Sequence, residues 1–278
     1  MKITALVENR SEGELQAEHG LSVLIEYEGK TYLLDSGSTA MFSRNAEKMG
    51  ISLSGVDAGI LSHAHYDHSG GYDAFFEQNH KAKSYLRDKA TSNCYAKKSF
   101  IRKYIGIPKG ILERYSDRFV HVSGDYKLSD GVWLIPHKGK DLSMRAKSAH
   151  MYRKIDGKFV IDDFLHEQSL VFEVNDGIVI LNSCCHGGVD TVVEEVKSVF
   201  PGKEVLAVVG GFHLMGLLGA STMGGPSEEV EALGKRLLEL GVQQVYTGHC
   251  TGMPAFEVLA GVLGERIHYF STGCSAEF

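Results

Sequence analysis

The stretch SVLIEYEGKTYLLDS, residues 22–36, aligns without a gap on SLVFEVNDGIVILNS, residues 169–183, and this repeat constrains the fold more than any other feature of the chain. In each copy two apolar, β-type runs flank a turn signal, Glu28-Gly29 in the first and Asn175-Asp176-Gly177 in the second, so both read as hairpins. Ser22 matches Ser169, Glu26 matches Glu173, and Asp35 falls opposite Asn182. Residues 39–49 then have helical spacing, VDAGILS reads as a strand, and a helix is expected from Gly71 to about Gln78. The second copy is followed by an expected helix (190–199), the strand EVLAVVGG, a helix (226–240), the strand VQQVYTG, a helix (253–263) and the strand RIHYF.

Repetition of such a unit predicts two similar halves. Hairpins with helices outside them predict an α/β fold, a four-layer αβ/βα sandwich of two sheets covered by helices. We expect one domain over 1–278. Residues 80–165 have weak periodicity, read as too polar for a core layer and too long for a simple connection, and are expected to be an insertion carrying short elements.

Within LSHAHYDHSGG, residues 61–71, three histidines and an aspartate occupy six positions at the end of an expected strand. His63 and His65 are two apart in an extended segment and share a face, which suits one metal ion. Asp67 and His68 follow where the chain turns into a helix and suit a second. Imidazole and carboxylate match Zn, Mn or Fe, and two ions ~3.5–4 Å apart can deprotonate a water and polarise the bond it attacks. Further ligand candidates are His186 in SCCHGG, His213 in GGFHL and His249 in TGHCTG, each after an apolar run and beside glycines.

HAHYDH preceded by LLDSG and followed by TGHCTG resembles the metallo-β-lactamase superfamily. AEHGLSVLIEYEGKTYLLDSG, SHAHYDHSGG, HEQSLVF, SCCHGG, GGFHL and GHCTG, in that order, are similar to its branch of dihydropterin-ribofuranosylaminobenzene-phosphate synthase-like metal-dependent hydrolases. The resemblance implies the αβ/βα sandwich, with His63 and His65 on the first ion and Asp67 and His68 on the second. It implies that Asp35 acts behind the ligands, orienting a histidine, and that His186 and His249 complete the set. The aspartate that commonly bridges the ions has no carboxylate counterpart, because Asn182-Ser183-Cys184 stands there. Cys184 or His186 is a stand-in for it, and His166 in HEQSL is a rival of His186.

These features point to a hydrolase that uses a metal-bound hydroxide on a small, anionic substrate bearing phosphate or carboxylate. In it Asp67 ligates and steers the hydroxide, and His213 donates a proton or hydrogen bond to the leaving group. Eleven Lys/Arg against three acids between Lys81 and Arg118 suit a cover that attracts anions, and His19 in AEHG is a further substrate-binding candidate. Two other readings remain: a transferase forming a C–N bond on a pterin, and a non-catalytic metal- or ligand-binding protein. Di-iron redox chemistry is disfavoured, because Glu would commonly stand at His65 and no flavin domain follows.

A net charge of −6 gives no expectation of nucleic acid or an anionic membrane as partner. No apolar run approaches the ~18–20 residues that span a bilayer, and MKITALVENR lacks a signal-peptide pattern, so a cytoplasmic protein is expected. The five cysteines, two of them adjacent, fit reduced thiols better than a disulfide framework.

Overall fold

The structure, a computed structural model, describes residues 1–278 except 99, 140, 141, 217 and 218; the side chains of Lys98 and Ala220 also lie outside the described residues. The chain divides into two compact units. The first comprises 1–124, 140–168 and 271–278, and the second 125–139 and 169–270.

The first unit is built on a seven-stranded sheet in the order Ser275–Glu277, Lys2–Val7, Ser22–Tyr27, Lys30–Leu34, Ala58–Ile60, Lys83–Arg87, Phe119–Val122. Its first expected hairpin is present, with Tyr27 paired to Lys30 across a two-residue turn. Glu28 (φ 49°) and Gly29 (φ 74°) both take positive φ, the twist that a tight hairpin requires. From Lys30–Leu34 onward the pairing is parallel. Helices Met41–Lys48 and Tyr72–Gln78 bury Phe42, Tyr72, Phe75 and Phe76 against Leu33, Leu61 and Phe119.

The second unit repeats the plan. Its sheet runs Ile267–Tyr269, Gln244–Thr247, Glu204–Gly210, Gly177–Leu181, Gln168–Val174, Val132–Pro136, Tyr126–Ser129. The second hairpin turns at Asn175 and Asp176, and its strand Gly177–Leu181 starts a parallel series. Helix Val189–Val199 buries Val189, Val192, Val193 and Val196, the 3–4 spacing of one helical face. Each such valine contributes roughly 1.5–3 kcal/mol by burial. Helices Ser227–Glu239 and Met253–Leu263 add Leu237 and Leu259 to the same core.

Two expectations need correction. Residues 80–165 are not wholly peripheral: Lys83–Arg87 and Phe119–Val122 belong to the first sheet, Tyr126–Ser129 and Val132–Pro136 to the second. These strands are only four or five residues long, and Leu86, Val132 and Leu134 within them are fully buried, which the average polarity of the stretch conceals. What remains of the stretch includes a separate antiparallel sheet in the order Lys158–Ile161, Met151–Ile155, Cys94–Lys98, Ile101–Tyr104. The chain also does not end its structure at RIHYF: Ser275–Glu277 pairs with Lys2–Val7, too short a strand to leave a sequence pattern.

In both units the chemistry-bearing residues follow the carboxyl ends of parallel strands, where loops of α/β sheets gather ligands. Asp35 (φ 60°), Cys185 (46°), His213 (51°) and His249 (47°) stand there in the left-handed region, which non-glycine residues seldom adopt. Such strain is concentrated at functional sites.

Candidate metal centre

In the first unit the site is organised by Asp35, which is 1% exposed. Its carboxylate accepts hydrogen bonds from the Ser62 backbone N–H (2.7 Å), the Ser62 hydroxyl (2.6 Å) and His68 Nδ1 (2.7 Å). Because the single hydroxyl proton of Ser62 goes to Asp35, the contact of Ser62 Oγ with His63 Nδ1 (2.8 Å) must be donated by the ring. His63 and His68 therefore both carry hydrogen on Nδ1, and Nε2 is the lone-pair atom of each ring. One buried carboxylate sets two imidazoles in the tautomer a metal needs.

The rings of His63 and His68 are 4.1 Å apart by centroid, and those of His63 and His65 4.6 Å. Asp67 Oδ2 lies 3.8 Å from His68 Nε2 and 3.2 Å from His19 Nε2. His19 reaches this position because Gly20 packs on the loop: a Cβ there would stand 2.7 Å from Asp67 O. Three buried imidazoles and a carboxylate on one short loop are a donor set that fits a divalent cation.

His166 is held at both ring nitrogens. Nδ1 accepts from the Ala64 backbone N–H (3.2 Å) and Nε2 donates to Asp162 (3.2 Å). Asp162, Cys94, His65 and His166 are all buried with their ligand atoms within 4.8 Å of one another. Sequence reasoning missed Cys94 and Asp162; only the four-residue spacing of Asp162 to His166 was visible. Burial alone would raise the Asp162 carboxyl, but the His166 ring and the Phe164 amide hold it well below the usual carboxylate range. A depressed folded value contributes stability above the unfolded value of ~3.9, lost as pH falls through the folded one. The stability difference between wild type and Asp162→Asn, measured by denaturant unfolding, is accordingly expected to be constant above about pH 5 and to shrink on acidification. A difference that grows on acidification contradicts this.

At least five of the eleven cations of the 81–118 run make contacts within the fold. Arg118 donates to Asn79 O (2.8 Å) and twice to Ala82 O (2.6 and 3.0 Å) and lies 4.5 Å from the Phe76 ring centroid. Buried Arg87 donates to Gly124 O, Lys83 to Asp117 O, and Arg114 pairs with Asp73. Arg102 stacks over Tyr152 and Phe159, while the Lys98 side chain is outside the described residues. Arg118→Ala is expected to lower stability by about 2–3 kcal/mol and to leave KM for an anionic substrate unchanged. A raised KM with unchanged stability would instead assign this residue to substrate attraction.

In the second unit Asn182, the counterpart of Asp35, holds the strand-end turn: its Oδ1 accepts from Cys185 N (2.9 Å) and its Nδ2 donates to Ser169 Oγ (3.0 Å). The turn delivers Cys184 and His186, whose ring lies 4.6 Å from that of His213. His249 and Cys250 sit in the 3₁₀ turn His249–Thr251, pinned by Thr251, which bonds Thr247 Oγ1 (2.6 Å) and accepts from Phe212 N (3.0 Å). Cys184, His249 and Cys250 are buried with ligand atoms within 4.8 Å. Burial alone would raise the Cys250 thiol, but Cys184, His213 and the nearby His249 hold it well below the usual thiol range. Cys250 was not singled out from sequence, although it follows His249 directly.

Residues 15–151 match the family model of the metallo-β-lactamase superfamily. Over its full length the chain superposes on a solved metal-dependent hydrolase of the β-lactamase superfamily, with a TM-score of 0.83 and 26% identity, covering 100% of this chain and 99% of that one. In sequence and in fold the chain is similar to the metallo-β-lactamase superfamily. It is 27% identical over 256 residues to the 7,8-dihydropterin-6-methyl-4-(β-D-ribofuranosyl)-aminobenzene-5′-phosphate synthase of Methanocaldococcus jannaschii, covering 86% of this chain and 83% of that protein. Zn²⁺-bound PqqB of Methylobacterium extorquens shares the fold at 12% identity, with a TM-score of 0.59 and full coverage of both chains. The metallo-β-lactamase fold expected from the sequence is thus present. Among the described residues no helix is long and apolar enough to cross a membrane.

Proposed function

We propose that this chain is a metal-dependent hydrolase acting on a small anionic substrate, with two divalent ions, Zn first and Mn or Fe as alternatives. The observation that supports the reading is the Asp35–Ser62–His63 and Asp35–His68 relay, which leaves the Nε2 lone pairs of two buried imidazoles available beside His65 and Asp67. In the second unit His186 and His249 are also proposed as metal ligands, and in the first His166 braces the loop through the Ala64 amide. When bound, such ions lower the pKa of water towards ~7 and polarise the bond to be cleaved. Asp67, with His19 at 3.2 Å, is placed to orient a water and to pass its proton outward through a half-exposed imidazole. His213 is the proposed proton donor to the leaving group.

Formation of a C–N bond on a pterin is the second reading, and the similarity to the M. jannaschii synthase over 86% of the chain favours it. Water labelled with heavy oxygen separates the two. Hydrolysis of a phosphate ester or diphosphate places label in the product; transfer to an aminobenzene acceptor yields an unlabelled conjugate and only when the acceptor is present. A metal-loaded protein that turns over neither set of substrates would favour the non-catalytic reading.

A further inference from the structure

In the second unit two thiols meet where the superfamily resemblance implies a carboxylate. Cys184 Sγ and Cys250 Sγ are 3.3 Å apart, and both residues are buried. A disulfide needs ~2.05 Å, so these are two thiols, as all five cysteines are. Their surroundings are not those of an inert buried thiol, which sits among apolar groups. The His213 backbone N–H donates to Cys250 Sγ at 3.3 Å. That approach depends on Gly211, where a Cβ would stand 2.4 Å from the sulphur. The ligand atom of His249 lies within 4.8 Å of both sulphurs. The backbone is therefore shaped around a sulphur that accepts hydrogen bonds, beside a second sulphur and an imidazole.

We propose that Cys184 and Cys250 bind a soft divalent cation as a pair of thiolates, with His249 as the third ligand. The inference rests on the reading above in one respect, that His249 is a metal ligand. With metal–sulphur bonds of ~2.3 Å in tetrahedral geometry the sulphurs stand ~3.8 Å apart, so the pair opens by roughly half an ångström on binding. The step balances as one cation taken up and two thiol protons released to solvent, with no change of oxidation state. Two sulphurs and one imidazole favour Zn, Cd or Co over Mn and Mg, which prefer oxygen. The centre of this chain is then softer than one closed by aspartate.

The test is Co²⁺ titration of the full-length chain, reduced and free of oxygen, read by the near-ultraviolet sulphur-to-cobalt charge-transfer band. Wild type should show the band; Cys184→Ser and Cys250→Ser should each lose about half of it, and the double variant most of it, while Cys185→Ser and Cys274→Ser retain it. Cobalt bound with visible ligand-field bands but no charge-transfer band in wild type overturns the proposal, whatever the variants do. A Cys250→Ser protein that keeps the full band overturns the role of Cys250. Two cobalt ions without the band would leave the binuclear reading standing and remove the thiolate pair. A band without hydrolysis of any anionic ester would do the reverse.

Discussion

Replacing Asp35 by asparagine is expected to lower metal affinity by about 10–100-fold and to destabilise the fold by roughly 3 kcal/mol or more. The carboxylate accepts three hydrogen bonds, from Ser62 N, Ser62 Oγ and His68 Nδ1, in a site closed to solvent. An amide offers one oxygen and turns an NH₂ donor towards groups that are themselves donors. The Ser62 hydroxyl or the His68 ring must then give way, and with it the tautomer that leaves Nε2 as the ligand atom. Ser62→Ala is expected to be milder, because it cuts only the branch to His63. Chelator competition measures the affinity and denaturant unfolding the stability. Unchanged affinity in Asp35→Asn, with the fold intact, would reduce Asp35 to a packing residue.

Alanine at Gly71 is expected to destabilise by on the order of 3 kcal/mol or more, among the larger single-residue effects. A Cβ there would stand 2.1 Å from Ser36 O and 2.5 Å from the Phe42 ring; at Gly70 it would stand 2.0 Å from Ser38 O. Their φ values, −92° and −70°, are open to any residue, so close approach and not backbone freedom requires glycine. The contact clamps the ligand loop onto the turn after Lys30–Leu34, through Ser36 N to His68 O (2.8 Å) and Gly70 N to Gly37 O (2.9 Å). Loss of metal binding should accompany loss of stability. Gly55→Ala, which meets nothing within 4 Å, should stay within about 0.5 kcal/mol of wild type. Equal stability of the Gly71 and Gly55 variants would dissociate the loop from this clamp.

The repeat of residues 22–36 in 169–183 was the most informative stretch of sequence, because two hairpins of like register leave few places for the strands that follow. Helices showed well where four apolar positions share a face, as in Val189–Val199. Strands of three to five residues between charged turns, such as Lys83–Arg87 and Ser275–Glu277, were illegible, since their pairing is decided by partners far away in the chain. The same holds for the centre. His63, His65, Asp67 and His68 announce themselves by spacing, and Asp35 was reached through the superfamily resemblance. Asp162, Cys94 and Cys250 become meaningful only when folding sets them beside histidines, and the contacts of Lys83, Arg87, Arg102 and Arg118 with carbonyls and rings leave no trace in the charge pattern.

The most direct test of the account is the metal content of the protein purified without added metal or chelator, by elemental analysis per chain. About two Zn or Mn per chain, depleted in Asp35→Asn, is the result the donor set predicts. A chain that stays folded and holds no divalent metal even after reconstitution would contradict the assignment of His63, His65, Asp67 and His68 as ligands, and with it the hydrolytic chemistry proposed for them.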